Sequence, residues 1–559
     1  VKILQLRTCA KPWDTGIWIA LLARSEWLWH SGLAKCFRHK NHYKIMTISS
    51  DSISSPNLVA SDRIPARNAA AACISVRRLR ILLLKPYQKV VASIQSPPLG
   101  LLYLTSTIRK KFDGYPIDIK LIDMKVSEMS HEELLPTLQS FQPDVIGFSA
   151  LNFEAQASYN IARMAKALNP AVITVMGGPF ALNNTATVFA EPSIDWVFEG
   201  PADRTFPDAL FRLACNQDMG MDIAGFSRRL PDGSVHISKV QDFIADIDAL
   251  PMPAWDIVDF DLYASKPNHA ANLKGKRYAP LFTSRGCPYL CNYCHDIFSK
   301  KFTYHSVERV IAEIEHLYNT YGVDEFHVED DIFNLHKPRV RELMKEVQRR
   351  WPGKMKFAFP NGLRADILDR ETVNAMCDGG TYAVCIAIET VTPRLQKLID
   401  KHLDIEKAKR ALEYFNDRGI QVTCFFMLGF PTETKEELQA TFDFALHTPM
   451  TLAYFFTVIP QPNTPLFDLA LKENEAITLD TAKVDSGSYR AYMSWYERVY
   501  GYPLGRAIRN ANLRFYFTPR RAIQVLKHWK LRSLLVTFRV FLQVVFNRIN
   551  DAKPGSSSL

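Results

Sequence analysis

Three cysteines lie within one short stretch of this sequence, Ser284-Arg285-Gly286-Cys287-Pro288-Tyr289-Leu290-Cys291-Asn292-Tyr293-Cys294. Soft thiolates crowded in this way bind zinc or an iron–sulfur cluster. A structural zinc is tetrahedral and wants a fourth ligand, for which His295 is the nearest candidate. Its place directly after Cys294 makes joint ligation of one ion awkward, and no second cysteine pair stands at finger or ribbon spacing. Three cysteines on a four-iron cube instead leave one iron open to an exogenous ligand, which gives the missing fourth residue a function. Downstream, Glu329-Asp330-Asp331 sets three carboxylates side by side. Such a group suits an ammonium by charge pairing or, more plainly, makes a solvated acidic turn.

The elements that must position these groups begin near Arg78. Apolar runs then alternate with amphipathic segments, the pattern of βαβ units. Strands are predicted at 79–84, 117–122, 145–148, 172–175 and 196–198, with helices at 101–111, 131–139 and 154–168. Five strands with crossover helices make a small doubly wound sheet. A hairpin signal at Pro231-Asp232-Gly233 and a linker-like run from Leu250 to Trp255 follow. The alternation then resumes, with strands predicted at 281–284, 325–328, 356–359, 383–388, 421–426 and 453–458 and helices at 306–320, 337–350, 370–378, 405–418 and 434–447. Six βα repeats predict a partial or full barrel with its chemistry at the strand C-terminal ends. The cysteine loop directly follows the first of these strands.

The cysteine stretch resembles the signature of the radical S-adenosylmethionine (SAM) superfamily, Cys-x3-Cys-x2-Cys with an aromatic before the last cysteine, matched by Cys287, Cys291, Tyr293 and Cys294. The resemblance implies a [4Fe-4S] cluster whose open iron is chelated by SAM and whose electron cleaves the sulfonium to a 5′-deoxyadenosyl radical. It further implies that Glu329, Asp330 and Asp331 stand where the SAM amino group binds, that Arg364 meets the SAM carboxylate, and that Glu389 accepts from the ribose hydroxyls. The run Leu428-Gly429-Phe430-Pro431-Thr432-Glu433-Thr434 resembles the family's Gly-Phe-Pro-Gly-Glu-Thr, with Thr432 replacing a glycine. Glu433 itself reads as a cap for the next helix.

Residues 79–215 resemble the cobalamin-binding domain that precedes this barrel in one subfamily. Two of its signals are present, Ser149-Ala150-Leu151 and Gly177-Gly178, and Gly100, Glu199-Gly200 and Asp203 match its pattern. The third signal, a histidine motif after the first strand, is absent: no histidine lies between Lys85 and Gly100. The fold expected is thus α/β, a Rossmann-like cobalamin-binding domain followed by a partial (β/α)6 TIM-type radical SAM barrel and a mostly helical C-terminal region. The segments expected are an extension at 1–78, the cobalamin domain at 79–215, a linker and hairpin at 216–275, the barrel at 276–470 and the helical region at 471–559. The resemblance implies methyl transfer to an unactivated carbon or phosphorus or, alternatively, a ring-forming or oxidative rearrangement of a tetrapyrrole or lipid. The partners implied are a small-molecule or lipid substrate and an electron donor such as flavodoxin or ferredoxin.

Composition sets outer bounds. At 559 residues the chain exceeds the roughly 250–300 residues at which single cores stop growing. With 47% hydrophobic and 23% charged residues it is neither a disordered nor a fibrous chain. The other seven cysteines are scattered, which argues against a disulfide-stapled secreted protein and for a cytoplasmic one. Much of the net charge of +10 sits in the first 78 residues and the last 40. The first stretch reads as an extension ahead of a later start, with Met46 one candidate. The basic, apolar tail from Arg520 reads either as a helix resting on the inner face of the membrane or as one docked on the barrel. No nucleic-acid module is recognised there, so no nucleic-acid partner is expected.

Overall fold

The computed structural model describes residues 75–519 and 521, apart from 89–93, 183, 271–272, 295–296, 461–463 and 474–485. The expectations for residues 1–74, for Met46, for His295 and for the tail past Arg521 lie outside the described residues.

Strand β1 (Leu79–Lys85) carries four consecutive apolar residues from Ile81 to Leu84 because both of its faces are covered, as parallel strands require. Ile81 and Leu83 pack with Leu101, Ile108 and Phe206 on one side, and Leu82 and Leu84 with Leu134, Ile146 and Ile161 on the other. Around it lie β2 (Ile117–Asp123), β3 (Val145–Ser149), β4 (Ile173–Gly177) and β5 (Trp196–Phe198), in the order β2-β1-β3-β4-β5 and all parallel. The hairpin of β6 (Phe226–Arg229) and β7 (Val235–His236) extends this sheet, with β6 pairing antiparallel to β5. The segment 216–275, expected as a linker and hairpin, therefore also supplies two strands of the first sheet. Strand order reverses between β1 and β3, the crevice where doubly wound sheets bind ligands.

The second sheet holds six parallel strands: β8 (Tyr278–Leu281), β11 (Glu325–Val328), β12 (Lys356–Leu363), β13 (Thr381–Glu389), β14 (Gln421–Leu428) and β15 (Leu452–Thr457). They follow one another in chain order, β8 and β15 are its two edges, and helices intervene as in a barrel left open. A two-stranded antiparallel ladder of β9 (Ser284–Arg285) and β10 (Thr303–Tyr304) frames the cysteine loop. Phe326, Val328, Phe357, Phe359, Val384 and Ile386 form the core with the surrounding helices, whereas Ala358 and Ala383 pack on the other face against Ala270. The first strand lies at Tyr278–Leu281 rather than 281–284, because a carboxylate takes the Thr283 amide, as described below, and Ser284 pairs in β9.

Helices Ser486–Tyr500 and Leu504–Tyr516 close over the end of β14, packing Tyr492, Trp495, Tyr496 and Leu504 onto Leu428 and Phe430. Among the described residues no helix is long and apolar enough to cross a membrane. Arg521, at the start of the basic tail, is 2% exposed. Its guanidinium donates to the carbonyls of Ala445, Leu446, Thr448 and Met450 and lies 4.7 Å from the Phe515 ring centre. It thereby satisfies the carbonyls at the end of helix Lys435–His447, so the tail begins docked on the barrel at this residue. Arg521→Ala removes a donor from each of these carbonyls, of which Thr448 keeps the Met450 amide, and should cost about 2–4 kcal/mol, read as a lower midpoint in thermal or urea unfolding.

Candidate cluster and cofactor site

The chain leaving β8 is caught by a side chain from the end of β11. Asp330, 2% exposed, accepts the Thr283 amide, the Thr283 hydroxyl and the Ser284 hydroxyl, each at 2.6 Å. Burial raises its pKa while these bonds pull the other way. Three residues on, Gly286 has φ +81°, and a Cβ there would lie 2.2 Å from the Lys301 carbonyl oxygen. Only glycine lets the two limbs of the loop pass so closely. The Gly286 amide donates to Asp331 Oδ2 at 3.0 Å. Two of the three consecutive carboxylates thus shape the loop itself.

The middle of the loop is held from the far side of the barrel. Asn292 donates its amide to Ile399 O (3.1 Å) and its Nδ2 to Leu398 O (2.6 Å). The Arg364 guanidinium lies 3.6 Å from the Tyr289 ring centre, while forming a forked pair with Asp366 (2.9 and 3.2 Å) and donating to Lys401 O. Tyr293 donates its hydroxyl to Glu389 Oε1 at 3.1 Å, and Lys401 Nζ reaches the same oxygen at 3.0 Å. Glu389 follows a register shift in β13 and has φ +65°. Burial, then the Glu389 charge, raises the Tyr293 phenol well above its ordinary range. Arg364, Glu389 and Tyr293 are thereby brought together, as supports of the cysteine loop.

Cys287 and Cys291 are half-buried and Cys294 is exposed. Desolvation raises the Cys287 thiol and pushes Cys294 up to about 11, since protein surrounds the sulfur even though its edge meets solvent. Metal binding here must therefore displace protons. Among the described residues no three His, Cys, Asp or Glu side chains converge on one point as a single bare ion would need. A cluster instead takes its thiolates at separate irons, and three mutually interacting thiols on a glycine-hinged loop fit that donor set.

Glu329 is the carboxylate least committed. Its amide pairs with Leu281 O, and its Oε1 accepts one hydrogen bond, from Ser96 Oγ at 3.2 Å. Burial pushes its pKa up to about 7.

At the end of β14, Gly429 has φ +86°, with Leu504 Cδ2 2.4 Å from where a Cβ would sit. Thr432 adopts φ +67°, the conformation the family's glycine would take freely. The Tyr500 hydroxyl accepts its amide (2.9 Å), and Arg394 donates to its hydroxyl and carbonyl oxygens (3.1 and 2.8 Å). The expectation that Glu433 caps the next helix is corrected by the structure: Thr434 is the cap, in a reciprocal pair with Glu437. Glu433 turns back instead, accepting the Gly429 and Phe430 amides at 2.5 and 3.0 Å.

In the first sheet the cobalamin-type signals lie side by side at the C-terminal ends of β3 and β4. Ala150 N donates to Gly177 O at 3.1 Å, and Leu151 N to the buried Glu154, which also pairs with Lys85. Gly178 has φ +81°, and a Cβ on it would lie 2.7 Å from Ala150 N and 3.0 Å from Ser149 Oγ. Gly100, on helix Leu99–Lys111, faces open space. A surface of bare backbone and one hydroxyl fits the passage of a nucleotide tail.

Segments after β1 and β5 of the same sheet meet the second sheet beside its cysteine loop. Ser96, after β1, bonds Glu329; Tyr278 donates to Gln95 O at 2.7 Å; and Asp203, after β5, forms a buried forked pair with Arg285. In the sequence Asp203 matches only a general pattern, and Arg285 shows no role of its own. Its place directly before Gly286-Cys287 was the available signal. Lys401 carried none, standing well beyond Glu389 in sequence.

Two α/β sheets meeting at their strand C-terminal ends, one with a glycine-lined nucleotide cradle and the other with a three-thiol loop, define a two-cofactor enzyme. The B12 binding domain model matches residues 89–210 and the Radical SAM superfamily model residues 281–445. The chain belongs to the radical SAM enzymes that carry a B12-binding domain. It is 28% identical over 450 residues to an uncharacterized methyltransferase of Pyrococcus horikoshii, covering 79% of this chain and 94% of that one. Over 416 residues it is 28% identical to cytidylyl-2-hydroxyethylphosphonate methyltransferase of Streptomyces wedmorensis (65% and 76% covered). It is 26% identical over 400 residues to the anaerobic magnesium-protoporphyrin IX monomethyl ester cyclase of Rubrivivax gelatinosus (70% and 69%). The fold is shared with the radical SAM methyltransferase TsrM of Kitasatospora setae, solved with tryptophan and a SAM analogue, at TM-score 0.57 and 18% identity over 71% of this chain and 76% of that one.

Replacing Cys287, Cys291 or Cys294 by Ala should abolish the visible charge-transfer absorption of the reconstituted cluster and with it SAM cleavage, checked by iron analysis beside the spectrum. A second expectation concerns Glu433, 3% exposed and pushed up by burial from 4.5 to about 8. A carboxyl whose folded pKa is raised binds its proton more tightly when folded. The stability it contributes is complete below about pH 4.5 and lost as pH rises through about 8. Within that window stability should fall by up to about 1.4 kcal/mol per pH unit. Glu433→Gln should flatten that slope in denaturant titrations run across the range.

Proposed function

We propose that this protein is a cobalamin-dependent radical SAM methyltransferase that acts on an unactivated carbon or phosphorus of a small or lipophilic substrate. The observation that carries the reading is the contact between the segments that follow β1 and β5 of the first sheet and the second sheet beside its cysteine loop, made by Ser96 with Glu329, Gln95 with Tyr278 and Asp203 with Arg285. When bound, the cluster supplies the electron that cleaves the SAM sulfonium, and cobalamin supplies a carrier for the methyl group.

The chain's own residues divide the remaining work. Cys287, Cys291 and Cys294 would hold the cluster, leaving one iron for SAM. Asp330 and Asp331 are occupied in holding the loop, and Arg364 and Glu389 in bracing it. Glu329 is then the group available to the SAM ammonium. Ser149, Leu151, Gly177, Gly178 and Gly100 would line the cobalamin cradle. Relatives of both kinds, methyltransferases and ring-forming cyclases, share this architecture, and the products distinguish them.

Anaerobic reconstitution with iron, sulfide and cobalamin, followed by reduction, should yield 5′-deoxyadenosine together with S-adenosylhomocysteine. Formation of the first without the second would favour the ring-forming or oxidative alternative. Because the Glu329 carboxyl is held at about 7, an ammonium beside it must expel its proton. SAM affinity should therefore weaken as pH drops below about 7, with proton release visible by calorimetry in buffers of different ionisation enthalpy. Glu329→Gln should weaken SAM binding about tenfold, keep the iron content and remove the pH dependence.

A further inference from the structure

Arg285 directly precedes Gly286-Cys287, and its guanidinium is buried at 4% exposure. Asp203, equally buried, receives it through two bonds, Nη1 to Oδ2 at 2.8 Å and Nη2 to Oδ1 at 3.2 Å. The guanidinium also lies 4.8 Å from the ring centre of Tyr103 and 5.0 Å from that of Phe298. Tyr103 belongs to the first-domain helix Leu99–Lys111 and Asp203 follows β5, whereas Arg285 ends β9 and Phe298 lies on the returning limb of the cysteine loop. The Tyr103 hydroxyl in turn meets His305 Nε2 at 3.5 Å, and His305 Nδ1 meets Asp248 at 2.7 Å.

We propose that Arg285 and Asp203 are positioning residues that fix the cobalamin-binding edge of the first sheet against the cluster loop, and so set the placement of one cofactor relative to the other. This rests on the reading of that edge as a cobalamin site. A buried ion pair is a poor device for stability alone, since desolvation consumes much of its attraction and apolar side chains could join the same surfaces. What a planar fork on a carboxylate adds is direction, because two parallel bonds fix both distance and orientation. Other ion pairs of the first domain with the segment after it, such as Arg109 with Asp256 and Lys266 with Glu128, are largely solvent-exposed and remote from the loop in sequence. At Arg285 the fork acts one residue from Gly286-Cys287, and Gly200, three residues before Asp203, comes within 3.6 Å of the loop's Ile297 carbonyl oxygen at its Cβ position. The pair has a second consequence. Asp203 neutralises a permanent positive charge beside a thiolate ligand, so loss of Asp203 alone would expose the cluster to that charge and raise its reduction potential.

The test uses the full-length protein loaded with cluster and cobalamin, as wild type, Arg285→Lys, Asp203→Asn and the apolar pair Arg285→Met with Asp203→Leu. Three quantities are read: the spin–spin broadening between the reduced cluster and cob(II)alamin in frozen samples, the cluster midpoint potential, and the ratio of 5′-deoxyadenosine to S-adenosylhomocysteine. The apolar pair should retain iron and cobalamin but show a broadened, altered spin coupling, with methyl-transfer turnover reduced about 10- to 100-fold and SAM cleavage reduced less. Arg285→Lys, which keeps the charge and loses the fork, should change the spin coupling in the same direction, and Asp203→Asn should raise the potential. Wild-type spin coupling and product ratio in the apolar pair would overturn the proposal. Should that variant fail to load, wild-type coupling in Arg285→Lys would overturn it equally. Failure of the underlying reading is seen separately, in wild-type protein that binds no cobalamin.

Discussion

A loop that must offer three thiolates to one cluster cannot be folded by its own backbone hydrogen bonds, because a helix or strand would point the cysteines apart. The constraint is met here by buried carboxylates on neighbouring strand ends. Asp330 takes the donors of Thr283 and Ser284, Asp331 takes the Gly286 amide, and Glu389 takes the Tyr293 hydroxyl. Each of these carboxylates gains hydrogen bonds that offset its desolvation, and each loop donor gains an acceptor it would otherwise lack. The strand ends must therefore lie in register around the loop, and it is the helix-packed core of Phe326, Phe357, Val384 and Val422 that holds them there.

The resemblance names residues, whereas their partners are read from geometry. Acidic groups at the ends of β11 and β13 were legible from sequence as ligand contacts. Of the five charged residues so named, Asp330, Asp331 and Glu389 hydrogen-bond the cysteine loop or the residues leading into it, and Arg364 braces it through Tyr289. Sequence carries the type and spacing of a group, whereas its partner is set by three-dimensional neighbours such as Lys401 that no local pattern announces.

The strands were legible for a simpler reason. In β1 and β14 both faces are covered, so predominantly apolar stretches mark them within a residue or two. The shift of the first barrel strand from 281–284 to Tyr278–Leu281 has the opposite cause. Thr283 has fair strand propensity, but Asp330 takes its amide, and a tertiary hydrogen bond overrides propensity; Ser284 pairs instead in the short β9 ladder. Thr432 shows the same ranking of forces. A β-branched residue is held at φ +67° because its amide, hydroxyl and carbonyl are all taken by Tyr500 and Arg394.

The cofactors envisaged here carry reactivity that no side chain of this protein could supply, so selection on the chain acts through distance and orientation. A two-cofactor site raises that demand, since each cofactor belongs to a different sheet and every error in their relative placement is an error in the reacting geometry. Hydrophobic contact is non-directional and could not fix such a placement. The contacts between the two sheets' ligand edges are accordingly directional ones: Ser96 to Glu329, Tyr278 to Gln95 and the fork of Arg285 on Asp203. Apolar packing, which seats Leu99, Leu102 and Tyr103 of the first domain in the barrel's own core, holds the two halves together, whereas hydrogen bonds and one buried ion pair set how their ligand edges are oriented.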